Sequence, residues 1–130
     1  MVWLPEKSLL VCSVFDSLQV WDMTTYDCLN IIGPQVLDAR SAKTKCFHAG
    51  NDVIVCGTDN GLLVFIDILS GEVLHTFQFP DEGFVCDVKV RGNDIMTIGL
   101  YGKIQFLRME DGDFRKIKIE KSIGPHLHLP

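Results

Sequence analysis

Cysteine in this chain lacks closely spaced pairs. Its five residues, Cys12, Cys28, Cys46, Cys56 and Cys86, are odd in number, scattered, and contain no CxxC pair. That excludes a disulfide framework and a zinc site of closely spaced ligands. Each cysteine lies within or beside an apolar stretch, where a free thiol behaves as a small hydrophobe. A reducing, intracellular setting is therefore expected, cytoplasmic or nuclear. No apolar run reaches the roughly 18 to 20 residues of a membrane helix, and no basic segment leads into a hydrophobic signal, so neither membrane anchoring nor export is expected.

Positive charge is also in short supply. Lysine and arginine total 12 against 17 aspartates and glutamates, a formal charge of −5. A nucleic-acid surface needs a concentrated positive field, so nucleic acid is not an expected partner. The local exception is Arg115, Lys116, Lys118 and Lys121, interleaved with Ile117 and Ile119. In a strand this is a solvated outer face.

Catalytic signatures are missing as well. Neither GxSxG nor GxxxxGK[ST] occurs, and "DGDF" at Asp111 to Phe114 is too short for a calcium loop. His126 and His128 supply only two ligands, while His48 and His75 have no ligand or nucleophile at a diagnostic spacing. Asp59, Asp67, Asp87, Asp94 and Asp111 fall mostly in turns, where such side chains satisfy backbone donors. Neither enzymatic activity nor a metal or cofactor is expected. No segment shows a convincing helical stripe.

What the chain does have is enough apolar sequence for a folded domain, 47% of 130 residues, and an internal repeat. "GNDVIVCGTDNGLLVFIDILSGEVLHTF" from Gly50 lines up with "GNDIMTIGLYGKIQFLRMEDGDFRKIKI" from Gly92, at an offset of 42 that becomes 41 between Gly61 and Gly102. Val53 to Cys56 thereby matches Ile95 to Ile98, with one turn residue lost. A third copy, "SLLVCSVFDSLQVWDMTTYDCLNII", covers Ser8 to Ile32 at offsets of 44 to 45.

Each unit reads as strand, glycine turn, strand, turn, strand. A further strand precedes the second and third units, "KTKCFH" (Lys43 to His48) and "FVCDVKV" (Phe84 to Val90), with Met1 to Trp3 as a remnant before the first. In "FVCDVKV" the alternation places Phe84, Cys86, Val88 and Val90 on one face. Four short antiparallel strands per period is the blade of a propeller. The expected fold is all-β, a partial β-propeller of three four-stranded antiparallel blades. Blade 1 covers about 1–32, blade 2 about 43–77 and blade 3 about 84–119, with a C-terminal tail at 120–130.

The residues "LQVWD" (Leu18 to Asp22) followed by "TTYDCL" resemble the WD-repeat family of β-propellers, in which a strand ends in Trp-Asp before a turn into the outer strand. The second unit keeps the frame with Ile66 in place of the tryptophan, and the third has Leu107 and Arg108. The family's Gly-His pair is absent. The resemblance implies a non-catalytic module that presents loops to a protein partner. Its Gly-Asn turns look like blades of F-box proteins with WD repeats, which implies substrate recognition in a ubiquitin ligase.

The alternative is a piece of a propeller enzyme such as a quinone-dependent dehydrogenase, but Trp3 and Trp21 do not supply its cofactor-stacking pattern. Three blades leave two apolar sheet faces without neighbours. The remaining blades are expected from the rest of a parent chain or from another chain, with these 130 residues as a fragment. Loops Gly33 to Ala42 and Gln78 to Gly83 are expected to share one end with the turns at Phe15, Asn60 and Tyr101. Phe15, Asn60, Tyr101, Phe79 and Arg40 are the candidate protein-binding residues.

Overall fold

A computed structural model describes residues 1–14, 17–32, 44–50, 52–80, 83, 85–99 and 102–124. Among the described residues twelve strands form three antiparallel sheets of four, each in simple sequential order. Blade 1 comprises β1 (Val2–Leu4), β2 (Leu9–Val14), β3 (Ser17–Asp22) and β4 (Asp27–Ile32). Blade 2 comprises β5 (Thr44–Ala49), β6 (Val53–Thr58), β7 (Leu62–Asp67) and β8 (Val73–Gln78). Blade 3 comprises β9 (Val85–Arg91), β10 (Asp94–Gly99), β11 (Ile104–Glu110) and β12 (Asp113–Ile123).

The blades stack face to face around two apolar cores. Leu9, Val11, Leu18 and Val20 of blade 1 meet Ile54, Cys56, Val64 and Ile66 of blade 2. The opposite face of blade 2, with Val55, Leu63 and Phe65, meets Val88, Ile95 and Leu107 of blade 3. The middle strands β6 and β7 are thus covered on both sides, and five consecutive residues of each are buried. Their continuous apolar runs, IVCG and LLVFI, are what double covering requires. The outer blades keep the alternation of a half-covered sheet, seen in β11 as Gln105, Leu107 and Met109 buried between exposed Phe106 and Arg108.

Register corrects the sequence alignment of blades 2 and 3. Strands β9 and β10 are joined by a tight turn at Gly92 and Asn93, with Arg91 paired to Asp94. Between β5 and β6 the turn is longer, Ala49 pairing with Ile54 and the Gly50 amide bonding to the Val53 carbonyl at 3.0 Å. The lost residue therefore lies ahead of the strand, not after it. Ile54 corresponds to Ile95 and Phe65 to Phe106, a constant offset of 41. A shift of one residue exchanges the faces of a strand, so this detail decides which side chains meet a neighbouring blade.

Three further differences follow from local geometry. A bulge between Ile98 and Gly99 resets the phase of β9, so Val85 and Val88 point inward while Cys86 is exposed, against the expected alternation. Cys28 is exposed too and Cys12 half-buried, so that among the described cysteine side chains Cys56 is the one packed like a hydrophobe. Strand β12 runs on to Ile123, which pairs with Ile104, so residues 120–123 belong to blade 3 and not to a tail.

Turn chemistry holds the sheets in register. Asp67 accepts the Ser70 amide at 2.8 Å, and Gly71, at φ +74°, closes the turn by donating to the Asp67 carbonyl at 2.8 Å. Asp22 does the same for Thr24, with Tyr26 closing that turn at φ +63°. Asn30 of blade 1 reaches across to donate to the Leu69 carbonyl of blade 2 at 3.3 Å, and Lys7 pairs with Asp52 at 2.6 Å across the same seam.

Candidate functional site

In blade 2 the turn between β6 and β7 lies at one end of the sheet. Thr44 pairs with Thr58 and Leu62 pairs with Gln78, which puts the entry to β5 and the exit from β8 at this same end. The β6–β7 turn, the entry to β5 and the exit from β8 therefore lie together in blade 2.

A polar network fixes that turn. The buried Thr58 hydroxyl accepts the Leu62 amide at 3.0 Å and donates to Asn60 Oδ1 at 2.7 Å. Gln78 Nε2 donates to the carbonyls of Asn60, Gly61 and Phe79 at 3.3, 3.2 and 3.0 Å. Gly61 sits at φ +81°, a conformation in which a Cβ is strained, and its carbonyl accepts the Phe79 amide at 2.9 Å. Few soft degrees of freedom remain, so the turn is held in one conformation by these bonds.

Asn60 is half-buried, with its side chain committed to Thr58, so it shapes the turn from within. Phe79, contrary to the expectation from sequence, is not an exposed contact residue: it is 2% exposed and packed edge-on to Phe77 at 5.2 Å inside the core between blades 2 and 3. An aromatic beside a loop reads as exposed in sequence, but here the chain leaving β8 folds over the seam. Phe15, Arg40 and Tyr101 lie outside the described residues, as do His126, His128 and the segment 33–43. Sequence reasoning does not single out Thr58 or Gln78: Thr58 opens "TDNG" and Gln78 ends β8, and the pairing of the strands is what brings the two together.

The other end of the stack carries the titratable groups with shifted equilibria. The Ser70 amide and hydroxyl hold the Asp67 carboxyl below its usual range. Burial, and secondarily the charge of Lys89, pushes His48 below the ordinary histidine value. His48 borders a cleft of about 250 Å³ between blades 2 and 3, walled by Val55, Phe65, Met109 and Phe114. Among the described residues no group of three or more His, Cys, Asp or Glu could hold a metal ion, and no helix is long and apolar enough to cross a membrane.

Two more surfaces stand out, the outward faces of blades 1 and 3. On blade 1, Trp3, Leu10 and Trp21 form one cross-strand row beside Ile31, with Trp21 Nε1 donating to Gln19 Oε1 at 3.0 Å. On blade 3, Met96 and Phe106 sit side by side between Lys89 and Lys121.

No protein-family model matches the chain, and no curated protein matches it in sequence. Solved structures do match in shape. The WD40 repeats of RRP9 superpose with a TM-score of 0.76 at 15% identity, covering 96% of this chain and 38% of that one. Chaetomium thermophilum Raptor gives 0.73 at 13% identity, covering 96% of this chain and 12% of that one. The Cps50 (Swd1) β-propeller domain of Myceliophteria thermophila gives 0.71 at 15% identity, covering 88% and 41%. The chain has the fold of WD40-type β-propeller blades, and it spans well under half the length of these matched chains.

Proposed function

We propose that the chain is a non-catalytic protein-interaction module, a stretch of propeller whose turn-and-loop end is presented to a protein partner. The observation that carries this reading is the fixed β6–β7 turn, bound by Thr58 and Gln78 at the same end as the entry to β5 and the exit from β8. Fold alone does not assign function; the fixed geometry at that end of the molecule supports this reading. The finer proposal is substrate recognition in an F-box ubiquitin ligase, on the strength of the Gly-Asn turns. Further blades, from the rest of a parent chain or from another chain, cover the two outward sheet faces. The exposed thiols Cys28 and Cys86 fit a reducing, intracellular setting.

The test is partner capture with end-specific charge changes. Phe15→Asp combined with Tyr101→Asp is expected to remove bound proteins that Glu72→Lys, in the turn at the opposite end, retains. If both variants retain or both lose the same proteins, this end is not the binding surface. For the ligase version, removing the protein from cells is expected to raise the abundance of the captured partner; unchanged abundance and turnover would count against it.

A further inference from the structure

The outward faces of blades 1 and 3 are opposite sides of the same repeat. By register, Leu10, Cys12, Gln19 and Trp21 occupy the positions at which blade 2 presents Ile54, Cys56, Val64 and Ile66 to blade 1. Likewise Met96 and Phe106 occupy the positions at which blade 2 presents Val55 and Phe65 to blade 3. Each open face thus has the form that a neighbour of the other kind is built to meet.

Their chemistry is complementary as well. The outward strand residues described in blade 1 are uncharged, and both of the chain's tryptophans stand among them, Trp3 with half its surface exposed. The face of blade 3 is an open groove of about 740 Å³ with Met96, Phe106 and Ile123 at its floor. Four cations border it, Lys89, Arg91, Arg108 and Lys121, against the two carboxylates Asp94 and Glu120. On a chain of net charge −5 this is a local positive excess. Indole faces attract lysine and arginine heads while the aliphatic stems cover apolar surface. Two blade 3 faces brought together would instead oppose their cations, which disfavours a like-to-like contact.

We propose that a second copy of this chain docks head to tail, its blade 1 seated on blade 3 of the first, and that the same contact made twice closes a ring of two chains. Three blades from each chain give six, within the usual range of about four to eight for closed propellers. A contact of one face with a different face either closes or grows into a filament, and here closure after two copies ends the growth. The proposal rests on the reading that further blades cover these faces, and it names the chain that supplies them.

Sedimentation of the 130-residue chain over a range of concentrations tests it, with indole emission as a second readout, since both tryptophans lie at the contact. The expected species has twice the 14.6 kDa mass of one chain, with blue-shifted emission. Trp21→Asp and Phe106→Asp are each expected to give single chains, with an unchanged far-ultraviolet dichroism spectrum because neither side chain is buried in its own chain. Mixed in equal amounts, the two variants are expected to re-form a two-chain species, because the mixture retains one intact Trp21 to Phe106 seam. If either variant loses its sheet signal, Arg108→Glu serves in its place and is expected to weaken association at least tenfold.

A wild-type monomer, a dimer that survives either substitution, a mixture that stays monomeric, or a ladder of species beyond two chains would overturn the proposal. A stable monomer with exposed indoles would overturn the further-blade reading too. A chain that only aggregates would overturn the second copy alone.

Discussion

Replacing Phe65 with alanine is expected to cost about 3 to 5 kcal/mol, the range for removing a buried aromatic ring, and to abolish a resolvable native baseline in urea. Phe65 is 1% exposed, stacks on Phe114 of blade 3 at 5.2 Å, and stands in the core that joins blades 2 and 3. A domain is stable by only about 5 to 15 kcal/mol, and a stack with two open faces has less surface to draw on. The control is Phe106→Ala, the same position of the repeat one blade later, where the ring is 37% exposed. In a solution dilute enough to hold single chains it is expected to cost less than about 1 kcal/mol. Similar costs at the two positions would mean that the blades do not stack as described.

Gly71→Ala is expected to destabilise by about 2 to 3 kcal/mol, from two separate sources. At φ +74° a side chain adds roughly 1 to 2 kcal/mol of backbone strain. The new Cβ would also stand 2.5 Å from Asn30 Nδ2, forcing that amide off the Leu69 carbonyl at a further cost of about 1 kcal/mol. Gly92→Ala separates the two, because Gly92 shares a positive φ of 60° but has nothing within 4 Å of the added atom. It is expected to show the backbone part alone. Equal shifts of the urea midpoint for both variants would mean that the Asn30 bridge between blades 1 and 2 contributes nothing.

Much of the fold was legible because propeller blades advertise themselves by spacing. The glycines at 61 and 102, both near φ +80°, mark equivalent turns, and they kept the two repeats in phase when read as letters. What could not be read was anything decided by a single residue of register. The tight Gly92-Asn93 turn moved β10 by one position against β6, and the bulge at Ile98 turned Cys86 outward, without leaving a mark in composition. Strand β12 outlasts its counterparts because bulges at Phe106 and Met109 take up its extra residues, again a matter of pairing and not of pattern.

The candidate site was legible only in outline. The glycine turn at 59–61 stood out, and with it the end of the sheet to which it belongs. The burial of Phe79 depends on how the chain leaves β8, and that is a tertiary fact. Thr58 and Gln78 act through bonds to backbone carbonyls and amides, which a list of side-chain types does not reveal. The difference between the blades emerges from burial along the strands. Blade 2 reads IVC and LLVFI without alternation, whereas blade 3 alternates, and this contrast is what marks the middle of the stack.

Amide hydrogen exchange of the chain, held dilute enough to remain single, tests the central claim that blade 2 is the one covered on both faces. The stacked-blade account predicts that the amides of β6 and β7 exchange slowest, through global opening alone, with β2, β3, β10 and β11 opening more readily at the exposed faces. Protection in β2 and β3 equal to or greater than that in β6 and β7 would contradict it.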